Sequence, residues 1–202
     1  MEPRAAGDPD SHVHARFPRL RAAGGPQDLR SRIDPEADLP AAVIPAAVLN
    51  EVFAHAREEE PEECCGLITG DERVRHRRVV RCRNDMTLHH RRDPAAYPRD
   101  GGEAFHMNEQ DYHAAQVEAD ARGERITCVY HSHVGVGAYF SELDQEFAEK
   151  PSFPFPDADH LVVSVIGGKV VDQALFQRRS AGPSDSEPHP AFVGRAVVHG
   201  AV

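Results

Sequence analysis

Residues 125–144 read RITCVYHSHVGVGAYFSELD and contain the pattern that decides the fold. The opening six residues, RITCVY, are rich in β-branched and aromatic side chains, which predicts a buried strand that runs on into the histidines. Residues i and i+2 of a strand point to the same side of a sheet. His131 and His133 are therefore expected to project together from the end of this strand.

The residues after the histidines predict a tight turn and a short helix. Gly135 and Gly137 permit the chain to turn back sharply. Ser141 then begins a helix in which Ser141 and Asp144, three residues apart, share a face. Two imidazoles and one carboxylate supply three protein ligands, the number that suits a catalytic zinc whose fourth position is kept for water.

Each half of this pattern also has an ordinary structural explanation. Ser-x-x-Asp is a common helix-capping pattern, so Ser141 is interpreted as a cap, as a functional residue, or as both. The spacing His-x-His also occurs at residues 12–14, but there Ala22 and Gly25 occupy the positions of the serine and the aspartate. The joint spacing at 131–144 is much more specific than either half.

The composition describes a soluble globular chain of one domain. Of its 202 residues 40% are hydrophobic and 28% charged, and the formal net charge of −10 argues against general binding to nucleic acid or anionic membranes. The N-terminal residues lack the apolar region of a secretory signal, and no apolar run approaches the roughly 20 residues of a membrane span, so a cytoplasmic location is expected. The cysteines show no Cys-x-x-Cys spacing and are expected to be buried free thiols: Cys64, Cys65, Cys82 and Cys128.

Changes in composition along the chain predict one domain with two tails. Residues 1–38 are rich in proline, glycine and charge and are expected to be a disordered tail. Residues 180–202 are expected to be a mostly flexible C-terminal tail, in which the segment AFVGRAVV at 191–198 could dock locally. Between them, residues 39–179 alternate helical and strand patterns, which predicts an α/β domain built on a mixed sheet. The predicted elements include a helix from Pro45 towards Pro61, a strand in CCGLITG, a helix that begins at Asn108, and a closing hairpin around residues 167–168.

The segment HSHVGVGAYFSELD at 131–144 resembles, without a gap, the signature His-x-His-x₇-Ser-x-x-Asp of the JAMM (MPN-plus, Mov34-type) zinc metalloproteases. That family also has an upstream glutamate in a Pro-x-Glu-x-Cys-Gly-Leu context, and residues 61–67 of this chain read PEECCGL. The resemblance covers about residues 40–178. The flanking segments AYF and HLVVSV are similar to those of the bacterial branch of the family. Val134 departs from the family where many members carry proline, which affects the stiffness of the loop and no ligand.

The resemblance implies a single MPN/JAMM-like domain with a zinc site at a strand end and a helix N-terminus. It implies that His131, His133 and Asp144 hold Zn²⁺, that Glu63 is the general base, and that Ser141 donates a hydrogen bond to the developing oxyanion. Glu63 belongs to an acidic run that alone would be interpreted as a solvated surface, and Glu62, one residue away, is its rival.

The resemblance also implies a peptidase or isopeptidase that cuts after the C-terminal Gly-Gly of a ubiquitin-like or sulfur-carrier protein. A zinc hydrolase of small amides and a non-catalytic MPN-type interaction scaffold are the alternatives. Residues 73–92 contain eight arginines, interpreted either as a solvated hairpin face or as a dock for an acidic partner. The loop 93–105 is a candidate clamp for a substrate tail.

Overall fold

The computed structural model describes residues 32–179 and 191–200. Its helices and strands follow one another in the order β1 (Ala42–Pro45), α1 (Ala46–Glu59), β2 (Cys65–Gly70), β3 (Arg78–Cys82), α2 (Met86–Arg92), α3 (Glu109–Ala121), β4 (Arg125–Val134), α4 (Glu142–Ala148), β5 (Asp159–Ile166), β6 (Lys169–Arg178) and β7 (Phe192–Gly200). Across the two described ranges, the strands form one seven-stranded sheet in the order β1-β7-β6-β5-β4-β2-β3. The predicted α/β domain on a mixed sheet is confirmed, because β1–β7 and β4–β5 pair in parallel and the other pairs are antiparallel.

Strand β4 is interior to the sheet and is buried along most of its length. It pairs with β2 on one side, where His131 lies opposite Cys65, and with β5 on the other, where His131 lies opposite Val162. Both faces of the strand are covered, so its side chains alternate between two separate cores. The strand predicted from RITCVY is confirmed and continues through the histidines to Val134.

Helix α1 covers one face of the sheet and is tied to β4 by a buried hydrogen bond. Nδ1 of His55 lies 2.9 Å from the hydroxyl oxygen of Tyr130. A side chain at Gly66 on β2 would collide with that tyrosine and with the carbonyl of Val80, which explains why glycine stands there. The helix ends before Pro61 as predicted, whereas Pro45 closes β1 and occupies the N-cap position, one residue before the helix.

The opposite face is covered by α3 and by the segments on either side of α4. A cluster of buried and half-buried apolar side chains packs there against β2 and β4. The predicted start of α3 is confirmed, because the side chain of Asn108 accepts hydrogen bonds from the backbone N–H groups of Gln110 and Asp111. The predicted hairpin is confirmed as well: β5 and β6 are antiparallel and meet at Gly167 and Gly168, both with positive φ.

Most of the arginine-rich stretch is engaged within the molecule. The arginines of this stretch that form intramolecular ion pairs are Arg75 with Asp159, Arg77 with Asp71, Arg78 with Glu124, Arg81 with Glu51, and Arg83 with Asp111. These pairs join β3 and its flanks to α1, α3 and β5. They favour a structural role for this face over a dock for an acidic partner. In the part of the chain that the structure describes, no helix is long and apolar enough to cross a membrane.

The expected domain boundaries need correction at both ends. Residues 192–200, assigned to a flexible tail, form β7 between β1 and β6. Residues 32–36, assigned to a disordered tail, run along the domain: Ile33 exchanges two backbone hydrogen bonds of 2.9 Å with Phe140, and the N–H of Glu36 donates to Gly194. Backbone groups make these hydrogen bonds, and the side chain of Ile33 adds to a buried core cluster. The rest of both predicted tails, at 1–31, 180–190 and 201–202, lies outside the described residues.

If β7 belongs to the domain, truncation of its buried aromatic residue must destabilise the whole fold. Phe192 is 1% exposed and packs on Phe140 with ring centroids 5.0 Å apart. We expect Phe192→Ala to lower the free energy of unfolding by about 3–5 kcal/mol. Val198→Ala, at an exposed position of the same strand, should change it by less than about 0.5 kcal/mol. Chemical denaturation measures both, and a Phe192→Ala variant as stable as the wild type would contradict the placement of β7.

Candidate metal centre

Three predicted ligands converge at the end of β4. Nε2 of His131 lies 3.2 Å from Nε2 of His133 and 3.6 Å from Oδ1 of Asp144, and Nε2 of His133 lies 3.8 Å from Oδ2 of Asp144. Within residues 32–179 and 191–200, these side chains form the one group of three or more histidine, cysteine, aspartate or glutamate residues whose ligand atoms lie within 4.8 Å of one another. The structure thus brings together the two imidazoles and the carboxylate that the spacing predicted.

The turn after β4 fixes the orientation of the second histidine. Gly135 has φ +76°, a conformation that favours glycine, and its N–H donates to the carbonyl of Val165. Nδ1 of His133 lies 2.9 Å from the carbonyl oxygen of Gly137. Because a carbonyl oxygen only accepts, this bond places the proton on Nδ1 and leaves the Nε2 lone pair directed at the site. Gly137 was also expected to be needed for the turn, but its φ is not positive.

Ser141 and Asp144 form a complete capping box at the start of α4. The Asp144 N–H donates to the Ser141 hydroxyl oxygen at 3.1 Å, and the Ser141 N–H donates back to Oδ2 of Asp144 at 2.9 Å. The Ser141 hydroxyl also donates to this Oδ2, at 2.7 Å. The capping interpretation of Ser141 is therefore confirmed, and the same bonds hold the Asp144 carboxylate beside the histidines.

Glu63 is brought to the centre by the residue between the two histidines. Ser132 accepts a hydrogen bond from the Cys64 N–H at 2.8 Å, and its own N–H donates to the Cys64 carbonyl at 3.0 Å. Glu63, the preceding residue, is 7% exposed, and the charges of His133 and Asp144 act on its carboxyl group. Burial, with a contribution from the Asp144 charge, raises the pKa of Glu63 to about 8, although His133 acts in the opposite direction.

The structure distinguishes Glu63 from Glu62, the other candidate for the general base in the acidic run. Oε1 of Glu62 accepts a hydrogen bond of 2.7 Å from the hydroxyl of Thr87, on the short helix α2. Its other carboxylate oxygen lies against Gly101, where an added Cβ would collide with it. Glu62 is therefore occupied with α2 and the loop that follows, and Glu63 is the glutamate whose charge acts on His133.

The charges of the centre favour a bound cation. Burial lowers the pKa of His131 in spite of the nearby Asp144 carboxylate. Burial also disfavours the charged form of His133, but hydrogen bonding to Asp144 and the charge of Glu63 raise its pKa to about 9. Burial opposes ionisation of Asp144 as well, yet the two histidines hold its pKa well below its usual range. A proton and a metal ion therefore compete for the same nitrogen of His133.

Two aromatic residues beside the ligands had no signal in the sequence. The ring of Phe105 stacks on His131 with centroids 4.7 Å apart and planes 27° apart, and the ring of Tyr139 lies 4.8 Å from that of His133. Ser132 was also missed, because its role depends on a contact with a segment 68 residues away. His89 and His90 lie on the short helix α2.

Comparison with known proteins places this architecture in a family. Residues 45–180 match the family model described as prokaryotic homologs of the JAB domain. The chain belongs to this family. The match ends before β7, so segment 32–36 and β7 lie outside the matched residues.

The chain is also similar to several proteins of known name or structure. The CysO-cysteine peptidases of Mycobacterium tuberculosis and Mycobacterium bovis are 33% identical to the chain over 123 residues, which cover 60% of this chain and 72% of those proteins. The tail tip assembly protein K of Escherichia phage N15 is 30% identical over 107 residues, or 36% of its length. A solution structure from Desulfitobacterium hafniense covers 79% of the chain with a TM-score of 0.53; at 21% identity, it supports the fold alone.

The residues of the JAB domain fit a zinc ion by their chemistry. Imidazole nitrogens and a carboxylate oxygen are common zinc ligands, and three of them leave the open position that catalytic sites have. The bond from His133 to Gly137 is of the kind that orients ligand histidines in metal sites. Asp144 is held in place by Ser141, so its carboxylate needs no rearrangement to become a ligand.

Metal analysis can test this centre separately from activity. We expect about one zinc ion per chain in the reconstituted protein, and its loss on changing His131, His133 or Asp144 to alanine, since a site with three protein ligands rarely survives the removal of one. His55→Gln is the matched control, because His55 is also a buried histidine but lies on α1, on the opposite face of the sheet. Elemental analysis that finds no zinc in the wild type, or equal loss in His55→Gln, would contradict the assignment.

Proposed function

We propose that this JAB-domain chain is a zinc-dependent peptidase or isopeptidase that hydrolyses the peptide bond after the C-terminal Gly-Gly of a ubiquitin-like or sulfur-carrier protein. The observation that carries the proposal is the convergence of His131, His133 and Asp144 at the end of β4, together with the buried Glu63 next to the residue that bonds to Ser132. Relatives named CysO-cysteine peptidase favour a sulfur-carrier protein as the substrate class. Their identity of 33% leaves the particular carrier and the leaving group open to experiment.

In this proposal His131, His133 and Asp144 hold the zinc. When bound, zinc lowers the pKa of a coordinated water from 15.7 to about 7 and polarises a carbonyl oxygen. Tyr139 and Phe105 flank the two imidazoles and help to exclude bulk water from them. Exclusion of water strengthens every electrostatic interaction between the remaining groups.

Glu63 is the proposed proton carrier. Its carboxylate accepts a proton from the attacking water and gives that proton to the nitrogen of the leaving amine. A carboxyl group whose pKa burial raises to about 8 binds a proton more readily than an exposed glutamate and can release it near neutral pH. The backbone next to it is held by Ser132, so only the side chain of Glu63 has to be ordered when substrate arrives.

Ser141 is the proposed donor to the developing oxyanion. In the structure its hydroxyl donates to Oδ2 of Asp144. The proposed role therefore requires the hydroxyl to turn from Asp144 towards the substrate oxygen. Its backbone N–H continues to hold the carboxylate meanwhile, since the Ser141 N–H donates to Oδ2 independently.

Two other functions use the same fold. A hydrolase of small amides would need the same residues but no protein partner, and a non-catalytic scaffold would need no metal. The presence of all three ligands together with a buried glutamate argues against the scaffold. Activity on a Gly-Gly-tailed carrier adduct, compared with activity on small amides, separates the two kinds of enzyme.

The central test is hydrolysis of a carrier adduct with matched glutamate variants. Zinc-loaded wild type should release the group attached to the Gly-Gly tail, and mass spectrometry of the products would show a free carrier. Glu63→Gln keeps the shape of the side chain but removes the proton acceptor, so it should retain zinc and lose turnover about 100- to 10,000-fold. Glu62→Gln should stay close to wild type, because Glu62 bonds to Thr87.

The results of that test lead to different conclusions. A wild type that holds zinc but cleaves small amides and no carrier adduct would refute the substrate class alone. Full turnover in Glu63→Gln would refute the role of Glu63. An inactive Glu62→Gln together with an active Glu63→Gln would assign the role of general base to Glu62 instead.

Ser141→Ala separates a catalytic role from capping. Loss of the oxyanion donor should reduce kcat by about 100- to 1,000-fold while zinc is retained. Loss of the cap should cost about 1 kcal/mol of stability whether or not the serine acts in catalysis. Steady-state kinetics and thermal unfolding of one preparation measure both effects. A destabilised variant with wild-type kcat would show that Ser141 acts through the helix cap alone.

A further inference from the structure

Asn84 follows β3 and uses every hydrogen-bonding position of its side-chain amide on the backbone of neighbouring segments. Its Nδ2 donates to the carbonyl of Glu63 at 3.0 Å and to that of Ala104 at 3.1 Å. Its Oδ1 accepts from the N–H of Met86 at 2.9 Å and from that of His106 at 2.9 Å. A carboxamide has two donor hydrogens and two acceptor lone pairs, so the side chain is fully used.

Two of these bonds flank the aromatic ring that covers a candidate ligand. Ala104 and His106 are the neighbours of Phe105 in the chain, and both are bonded to the one amide of Asn84. Phe105 stacks on His131, with ring centroids 4.7 Å apart. The Asn84 amide therefore helps to fix the position of this ring over the ligand, alongside the backbone bonds of Ala104 to Asp100 and of Asp85 to His106.

A third bond fixes the proposed general base. The N–H of Glu63 donates to the carbonyl of Gly101 at 2.6 Å, and its carbonyl accepts from Asn84. The next residue, Cys64, is held by Ser132. The backbone of Glu63 is thus hydrogen-bonded through both its N–H and its carbonyl. One partner, Gly101, precedes Phe105 in the same loop, and the other, Asn84, bonds to the residues on either side of Phe105.

The arrangement requires an amide at this position. The segments around Glu63, Met86 and residues 104–106 present both carbonyl oxygens and N–H groups to Asn84, so the side chain between them must donate and accept at once. A carboxylate of the same shape would keep the two acceptor bonds, but it would place an oxygen against the two carbonyl oxygens. Each carbonyl left without its donor loses a hydrogen bond in a partly buried place.

We propose that Asn84 is a positioning residue of the centre, which holds Glu63 and the Phe105 loop in register with the histidines. This inference rests on the proposed function, because it assigns Asn84 to the geometry of the reaction that Glu63 would serve. Asn84 is not expected to contact substrate or zinc. It acts through Glu63 and Phe105.

The test is kinetic and uses the zinc-loaded full chain with a carrier adduct. Asn84→Asp should lower kcat about 10- to 100-fold, the effect of a displacement of about 1 Å at a catalytic group, while KM stays within about twofold. Zinc content should be unchanged, since the three ligands are attached to β4 and α4. Asn84→Ala removes all four bonds and should lower kcat at least as much.

Thr69→Val is the matched control for stability. Thr69 is buried at the other end of β2, where its hydroxyl donates to Oε2 of Glu124 at 2.6 Å. Its substitution also removes a hydrogen bond that β2 depends on, but far from Glu63. At a temperature where both variants are folded, Thr69→Val should keep wild-type kcat. A wild-type kcat in Asn84→Asp would overturn the inference.

Hydrogen exchange gives a second readout that needs no activity. In Asn84→Asp, the amide of Glu63 and those of residues 101–106 should exchange at least about tenfold faster than in the wild type, relative to amides in the core of β4. Thr69→Val should leave these relative rates unchanged. Unchanged exchange in Asn84→Asp would overturn the inference. A zinc-loaded wild type without hydrolytic activity would instead overturn the proposed function, and the exchange rates would still decide whether Asn84 holds Glu63.

Discussion

The antiparallel pairing of β2 with β4 is the constraint on which the centre depends. It sets Cys65 opposite His131 and extends, through the two hydrogen bonds between Cys64 and Ser132, to the residue that follows Glu63. A shift of this register by one residue would turn the histidines to the α1 face, because successive side chains of a strand point to opposite sides. The buried bond between Tyr130 and His55 opposes such a shift from the other face.

The part of this arrangement that is local in the chain could be predicted from the sequence. Strand β4, the turn at Gly135 and the capping box of Ser141 and Asp144 lie within 20 consecutive residues, and their periodicity and capping pattern determine which side chains meet. Glu63 lies far away in the sequence, and only the resemblance to a known family distinguished it from Glu62. In the structure the distinction has a physical cause, because Thr87 binds Glu62.

The remaining features depend on contacts between distant segments, for which single-sequence patterns carry little information. Asn84 and Phe105 lie in a region that contains mostly polar loop residues, and their roles arise only when three segments meet. Strand β7 was not predicted as a strand because it follows a stretch rich in proline and serine that resembles a linker. Segment 32–36 is held by backbone hydrogen bonds, which any sequence can make, and by a single buried apolar side chain, Ile33. Apolar periodicity therefore could not reveal it.

The capping box has a consequence for how the protein would be supplied with metal. The Asp144 carboxylate is anchored by the N–H and the hydroxyl of Ser141, and the His133 ring is anchored by Gly137, so these two donors are oriented by the polypeptide itself. An ion that arrives at such a site orders few side chains, and little of its binding free energy is lost to conformational entropy. Folding and metal loading would then be separable events, unlike in small zinc domains that are unfolded without their ion. Under the proposed function, a cell short of zinc would hold the chain as a folded reserve whose activity follows the free-metal concentration.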